Sequence, residues 1–459
     1  MRKTAGRGRM NSDYTGVVLP LMDEYVATPQ KPAQAPWMAK VKNNKFGSGM
    51  ERLSNELTAF VNYMARSPPE IDARNYFTQS IISAIDSYFP DTEHTVRLYG
   101  SDATSLGLPL SDIDVMISAP SLRRVNPYHT RDLKVQALRD IQQLFARAGF
   151  NLFSTIRDEA TIPILEIEDV GTGLEMDISF EEPHSAQGLE DVKSWCAHYG
   201  HRQLISLYLP LKHALNMRKL GLGSATTPYQ GGAGSYVLLC MVIVFMETRY
   251  QELCSIWRQK PLSPGRTFVA MLKFWGEEFN FETTAIMVNP PSLIPKQAYL
   301  PAFIFEVRSP FDGSTNVAGG AFGMKHIKET IKHFANVLAE RILEVDRMQA
   351  VHPYGFNHQR GLLDPPGMTC GVLGSIIGGN YETFEERRSK IRKFGERIQA
   401  LGLVGAPQHE TEATPAGGPA RPVGSVGRLK GYGGQALPFI PATKPFVPPH
   451  LRGLDDSQF

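Results

Sequence analysis

Cysteine, long apolar runs and net charge are all scarce in this chain of 459 residues. Its four cysteines, Cys196, Cys240, Cys254 and Cys370, form no C-x-x-C pair. That argues against a disulfide-rich scaffold and for free thiols in a reducing, intracellular compartment. The longest apolar run, Tyr236 to Met246, has eleven residues. It is too short to span a bilayer and reads as a buried helix, so no membrane is expected among the partners. Lys and Arg number 48 against 46 Asp and Glu, a net charge of +2. Any polyanion must therefore be met by local patches and not by a global positive field. No secretory leader is expected. The opening MRKTAGRGR is basic and acid-free, but no long amphipathic pattern follows, so a mitochondrial presequence is not the favoured reading.

What is present is 42% hydrophobic content, enough to fill real cores at a length that suggests about two to three domains. The most informative stretch, Arg97 to Ser118, reads RLYGSDATSLGLPLSDIDVMIS. A β-prone run with Val96 and Leu98 ends in Gly100-Ser101, a short helix-like turn covers Asp102 to Leu106, and Asp112-Ile113-Asp114 opens a second apolar strand. Alternation along a strand sends both carboxylates to one face and Ile113 and Val115 to the other. Two like charges held this close call for a cation between them, and hard oxygen ligands suit Mg²⁺ or Mn²⁺. The Gly-Ser turn can meet a phosphate with backbone N–H groups, aided by the positive end of a following helix. A phosphate cradle upstream of a metal-binding acid pair describes nucleotidyl transfer.

Polymerase-type chemistry with two metal ions needs a third carboxylate. The strand LEMDISF, Leu174 to Phe180, places Glu175, Asp177 and Ser179 on one face, after a hairpin signal at Gly171-Thr172-Gly173. Asp177 is the preferred third acid; Glu166 and Glu168 on the neighbouring strand are rivals.

Gly-Ser followed by Asp-x-Asp eleven residues after the Ser resembles the signature of the DNA polymerase β-like nucleotidyltransferases. The wording LYGSDATSLGLPLSDIDVMI is similar to that of the noncanonical poly(A) polymerases, which tail RNA. The resemblance covers about residues 50 to 345 and implies ATP as substrate, two Mg²⁺ or Mn²⁺ ions, and catalysis by Asp112, Asp114 and Asp177. It implies that Gly100 and Ser101 grip the β/γ-phosphates and that Lys212 binds the triphosphate, with Arg218 and Lys219 as open auxiliaries. It also implies that Ser235 and Tyr236, in Gly231-Gly232-Ala233-Gly234-Ser235-Tyr236, touch the nucleotide, with the Tyr ring stacking the base. Gln187-Gly188 stand where the family carries a ribose-contacting Asn-Gly. Residues 301 to 323 resemble its nucleotide-recognition loop but depart from the usual pattern: Ser309 precedes Pro310, Asn316 replaces the acid before Val317, and Phe322 replaces Tyr. Asn316 is retained as a nucleotide-binding candidate, and base selectivity is the property these changes touch.

Residues 1 to 47 lack apolar periodicity and form a disordered arm. Leu53, Leu57, Phe60, Val61 and Met64 share a helical face that Pro68-Pro69 stops; Phe77, Ile81, Ile85 and Tyr88 mark a second helix. Pro210 is read as a helix start. Ile327, Ile331, Phe334, Leu338 and Ile342 mark a late amphipathic helix whose flank carries Lys325, Lys328 and Lys332, a strip that could steer RNA but is more often plain solvated surface. Cys196, His198 and His201 lack a second ligand pair, so no zinc site is expected. From Val404 on, 18 of 56 residues are Pro or Gly, a disordered tail; its PFVPPHLRG segment is either a docking motif or a linker end.

The expected architecture is a catalytic α/β palm with a mixed sheet of the polymerase β-like fold, 77–183, and an all-α central domain built from 48–76 and 184–399. Disordered tails, 1–47 and 400–459, flank them, and the nucleotide is expected in the cleft between the lobes. The expected activity is an RNA 3′-terminal adenylyltransferase of RNA surveillance, acting in the nucleus with an RNA-binding partner protein; mitochondrion and cytoplasm are the alternatives. A uridylyl- or mixed-nucleotide transferase and a catalytically silent RNA-binding scaffold are the rival readings.

Overall fold

A computed structural model describes residues 15–28, 34–41, 48–89, 94–119, 127–160, 162–181, 185–257, 262–310, 312–351 and 371–403. The PFVPPHLRG segment and Cys370 lie outside them. In chain order come helices α1 (Gly49–Met64) and α2 (Pro68–Tyr88), strands β1 (Thr95–Tyr99) and β2 (Ile113–Ser118), helix α3 (Pro127–Ala148), and strands β3 (Leu152–Arg157), β4 (Ile164–Asp169) and β5 (Glu175–Phe180). Helices α4 (Ser185–Tyr199) and α5 (His201–Asn216), strands β6 (Lys219–Leu220) and β7 (Gly223–Ser224), and helices α6 (Ser235–Phe245), α7 (Gln251–Trp257) and α8 (Pro264–Lys273) follow. Strands β8 (Thr284–Val288), β9 (Pro291–Pro295) and β10 (Val307–Arg308) then lead to α9 (Met324–Val351), α10 (Gly374–Ile377) and α11 (Glu382–Ala400).

Two compact units result: one of residues 1–66, 98–114 and 181–388, the other of 67–97, 115–180 and 389–459. The sheet unit is built on a mixed five-stranded sheet of order β1-β2-β5-β4-β3. β3, β4 and β5 form an antiparallel meander in which Glu166 faces Asp177 and Glu168 faces Glu175. The expected hairpin between β4 and β5 is present: Gly173 takes a positive φ, its N–H donates to the Asp169 carbonyl at 2.7 Å, and the Asp169 carboxylate accepts from Thr172. Met176, Ile178 and Phe180 point into the core while Glu175, Asp177 and Ser179 stay half-buried, the alternation that one covered face demands. Helices α2 and α3 pack together, and α3 lies on β3 and β4.

α2 starts at Pro68, earlier than the apolar pattern indicated. The two prolines that end α1 also occupy the first turn of α2, where a missing N–H costs nothing, and Ser67 with Glu70 closes a capping box. Residues 68–76 consequently go with the sheet unit, and the expected boundary at 76/77 falls inside a helix. From Ser389 on, α11 belongs to this unit too, with Gly395 against the Pro69 carbonyl and Phe394 5.9 Å from the Tyr76 ring.

The helical unit centres on α6, buried on every side from Val237 to Phe245. α1 presents Leu53, Leu57, Phe60 and Met64 to α5, α8 and α9. Pro210 lies inside α5, not at its start; Gly200, at φ 78°, separates α4 from α5 instead.

Residues 15–28 and 34–41, which fall in the arm expected to be disordered, are ordered. Leu19, Tyr25, Trp37 and Val41 are all buried in the helical core. Leu19 N–H donates to Thr330 Oγ1, Met22 N–H to the Met217 carbonyl, and Tyr25 accepts from Asn380 N–H. Trp37 and Tyr25 join Phe60, His213 and Tyr381 in an aromatic cluster with ring centroids 5.3 to 6.1 Å apart. Tyr25 and Trp37 sit in single 3₁₀ turns, Asp23–Tyr25 and Pro36–Lys40, too short to leave a periodic trace, which is why the sequence pattern missed them.

Candidate active site

β1 delivers Gly100-Ser101 and β2 receives Asp112-Ile113-Asp114 after a thirteen-residue connection that is turn and not helix. The expected contribution of a helix dipole to the phosphate cradle therefore does not apply. The connection is held by its own hydrogen bonds: Leu106 N–H to the Ser101 carbonyl at 3.1 Å, Thr104 Oγ1 to the Gly100 carbonyl at 3.3 Å, and Leu108 N–H to Ser111 Oγ at 2.9 Å. Ser105 sits at φ 56°, a conformation unfavourable for a residue with a Cβ. Gly100 has φ 62°, and a Cβ there would come within 2.0 Å of Asp114 Oδ2. The glycine is thus required twice, by its dihedral and by the carboxylate against it.

Asp112 is exposed and Asp114 half-buried, while Ile113 and Val115 are buried, so the strand alternation holds. Lys212 on α5 is only 6% exposed. Burial pushes its ammonium down to about 8, against the opposing pull of the Asp114 and Asp112 carboxylates; Arg66 lowers it further and Asp102 raises it. A buried cation within electrostatic reach of two acids is what binding a polyphosphate requires. The phenol of Tyr99, next to Gly100, is pushed up by burial and by Asp114.

The two auxiliary cations are elsewhere. Arg218 lies over the Phe334 ring at 5.0 Å and donates to the Ile376 carbonyl at 3.1 Å, while Lys219 pairs with Asp23 on the surface. The basic flank of α9 is likewise committed. Lys325 pairs with Glu282 at 3.0 Å, Lys328 donates to the Phe279 carbonyl at 2.6 Å, and Lys332 lies 3.9 Å from Glu329.

Gly231 to Gly234 lead into α6, whose first residues are Ser235 and Tyr236. Gly231 (φ 95°) is closed over by the Phe322 ring, and its carbonyl accepts from Gly323 N–H at 2.9 Å, so this turn and the 301–323 loop form one packed piece. Tyr236 stands 6.2 Å from the Trp195 ring at a 30° tilt. Burial, with Cys240, Asp191 and Tyr99 nearby, raises its phenol above the ordinary value. Gln187 and Gly188 lie in α4; the Gln187 side chain lies outside the described residues, and Gly188 is buried.

Asn316 is engaged by its own loop. Its Oδ1 accepts from Val307 N–H at 2.9 Å and Ala318 N–H at 3.0 Å, and its Nδ2 donates to the Phe305 carbonyl at 2.8 Å. Asp312 similarly accepts from Ser314 and Thr315, contacts that pull its carboxyl down to about 2.

Asp177 stands on β5, the strand next to β2 in the sheet. Its rival Glu166 is taken by Arg157, whose Nε lies 2.9 Å from both carboxylate oxygens. Among the described residues, no three His, Cys, Asp or Glu side chains are gathered closely enough to hold a metal ion by themselves. Asp112 and Asp114 remain a suitable donor pair, because Mg²⁺ is ordinarily held by one or two carboxylates plus waters and substrate phosphates. Arg66, which pattern reading missed, donates to Asp102 Oδ1 at 2.5 Å and to the Leu108 carbonyl at 3.0 Å. A lone Arg between two helices carries no signal in sequence.

Residues 53–188 match the family model described as the central palm domain of mitochondrial-like poly(A) RNA polymerase. A poly(A) RNA polymerase of Cryptococcus neoformans is 24% identical over 371 residues, covering 79% of this chain and 46% of that protein. Poly(A) RNA polymerase protein 2 of Saccharomyces cerevisiae is 23% identical, covering 78% and 57%. The chain spans about half the length of these curated relatives. Among solved structures, the polymerase core of TRAMP, an RNA surveillance complex, superposes with a TM-score of 0.61 at 20% identity over 75% of this chain and 99% of that one, which establishes the nucleotidyltransferase fold. With its signature, its sheet and these matches in agreement, the chain shares the nucleotidyltransferase fold, and residues 53–188 are similar to the palm domain of the noncanonical poly(A) polymerases.

Proposed function

We propose that the protein adds AMP from ATP to RNA 3′ ends without a template, in RNA surveillance or 3′-end processing. The observation that carries this reading is the convergence on one loop of a glycine turn packed against Asp114 and a buried Lys212 under the pull of Asp112 and Asp114. Asp112 and Asp114 would hold Mg²⁺ or Mn²⁺, with Asp177 as the third carboxylate. When bound, such ions neutralise phosphate charge and lower the pKa of an attacking hydroxyl. In this reading Gly100 and Ser101 present backbone N–H groups to the β/γ-phosphates. Lys212 offsets charge growing on the pyrophosphate leaving group, and Tyr236 offers its ring to the base. Gln187-Gly188 would face the ribose, and Asn316 would act through the loop backbone it holds. The RNA 3′-hydroxyl attacks the α-phosphate in line; the bond to the β-phosphate breaks and pyrophosphate leaves.

A nuclear location and an RNA-binding partner protein belong to the same reading, supported by the resemblance to the surveillance-complex core. Among the described residues no helix is long and apolar enough to cross a membrane. The altered recognition loop, with Ser309, Asn316 and Phe322, favours one second reading, transfer of UMP or mixed nucleotides. The test is extension of oligo(A) by purified protein with each nucleoside triphosphate separately, in Mg²⁺ and in Mn²⁺. Strong preference for ATP is expected; equal or better use of UTP overturns adenylation. If wild type and Asp112→Ala/Asp114→Ala extend nothing even with a natural partner present, a silent scaffold replaces both.

A further inference from the structure

The connection between the two halves of the signature contains an ion pair that the chemistry above does not use. Arg66 follows α1, and its Nη2 donates both to Asp102 Oδ1 at 2.5 Å and to the Leu108 carbonyl at 3.0 Å. The pair is well covered, with side-chain exposures of 16% for Arg66 and 8% for Asp102. Its two acceptors sit at opposite ends of the connection. Asp102 adjoins Ser101, the phosphate-gripping end. Leu108 is tied to Ser111 twice, its carbonyl accepting from Ser111 N–H at 3.0 Å and its own N–H donating to Ser111 Oγ at 2.9 Å, and Ser111 adjoins Asp112. One guanidinium thereby links the turn that would hold phosphates to the residue before the first acid.

The sequence between makes room for it. A Cβ on Gly107 would lie 2.5 Å from Arg66 Nη2, and 3.2 Å from both Asp102 Oδ1 and Ser101 Oγ. The guanidinium, the Asp102 carboxylate and the Ser101 hydroxyl thus crowd one glycine. The connection also carries the left-handed Ser105, a conformation that needs surrounding contacts to persist. Arg66 does not complete its donor set here: its Nε is buried without a hydrogen bond. Both bonds come from Nη2, so a Lys, whose compact ammonium sits on a shorter stem, matches the charge but not the position of that nitrogen.

We infer that Arg66 and Asp102 form a brace that fixes the distance between the Gly100-Ser101 turn and Asp112, making Arg66 a positioning residue for the triphosphate. This rests on the nucleotidyl-transfer reading. Two measurements are made on Arg66→Met, Arg66→Lys, Asp102→Asn and the double variant Arg66→Met/Asp102→Asn of the full chain. The first is amide hydrogen exchange of residues 98–112 without nucleotide. The second is steady-state extension, with inhibition by AMP alongside. Removing either partner is expected to speed exchange in 98–112 about tenfold and to raise KM for ATP by about 10- to 100-fold, the range of a small misplacement of a bound group. Inhibition by AMP, which lacks the β/γ-phosphates, should move less than twofold, and the double variant should be no worse than either single one. Arg66→Lys should recover only part of the loss. Should Asp102→Asn, the least disruptive change, leave exchange and KM as in wild type while wild type extends RNA, the brace is refuted and the transferase reading stands. If wild type extends no RNA with any nucleotide but exchange still rises in Arg66→Met, the transferase reading falls and the brace remains. An equal loss of AMP and ATP recognition overturns the triphosphate role.

Discussion

Two loops of the helical unit, 98–114 and 301–323, use their polar side chains in opposite ways. In 98–114 the backbone is fixed by Thr104, Ser111, Arg66 and Asp102, groups that stand beside the acids proposed for catalysis. In 301–323 the residue that looks most like a ligand contact, Asn316, is the one that fixes the backbone, and Asp312 closes a turn with Ser314 and Thr315. The first loop separates holding from acting; the second merges them. A loop of the first kind resists change in its chemical residues. One of the second kind can exchange a contact residue for a scaffold residue and keep its shape, and its selectivity is then free to drift.

The sharpest test of that contrast is to damage the first loop. Asp114→Asn should reduce RNA extension by about 10³-fold or more, since several kcal/mol of charge stabilisation are removed. Gly100→Ala should approach the same loss, because its methyl would sit 2.0 Å from Asp114 Oδ2. Both should melt within a few degrees of wild type, measured by calorimetry beside the extension assay. Damage to the second loop should show the reverse. Asn316→Ala leaves two N–H groups and one carbonyl without partners and is expected to cost about 2–3 kcal/mol of stability. It should lower kcat/KM for ATP by less than about tenfold below the melting transition.

A fourth change lies in neither loop and calibrates the stability scale. His213 is fully buried, its imidazole held neutral and pushed down to about 3 by that burial, with Nε2 2.8 Å from the Tyr381 hydroxyl. Its folded pKa lies below the unfolded value of about 6.5. The unfolded chain therefore takes up a proton that the folded one refuses, and stability falls as pH drops from about 6.5 toward 3. His213→Phe should lose about 2 kcal/mol less than wild type between pH 7 and pH 5, read from urea titrations at each pH. The smallest effect is expected at Glu166→Gln. Its exposed pair with Arg157 contributes at most about 0.5 kcal/mol, and extension should be unchanged, whereas Asp177→Asn should abolish it; the reverse order would make Glu166 the third acid.

The signature was legible because its chemistry is contiguous: Gly100, Ser101, Asp112 and Asp114 sit in one stretch whose strand, turn and strand can be read locally. The hairpin of β4 and β5 was legible for the same reason, with a glycine turn and clean alternation. Residues that act through tertiary neighbours were not. Arg66 is one polar side chain between two helices, and its partners are set by a loop some 36 residues away. Arg218 and Lys219 looked equivalent beside Lys212, yet packing sends one onto Phe334 and the other to Asp23. Charge on a helix face gave no warning that Lys325 and Lys328 would be claimed by Glu282 and a backbone carbonyl.

The front of the chain carries a practical consequence. Leu19, Tyr25 and Trp37 are ordinary members of the helical core, although they precede the first residue of the family match by many positions. A fragment begun at Leu53 would open the aromatic cluster around His213 to water and strip two hydrogen-bond acceptors, the Pro20 and Tyr25 carbonyls, from Lys219 and Asn380. The unit that evolution makes recognisable and the unit that folds do not share a starting point, and protein cut at the former is expected to come out of solution.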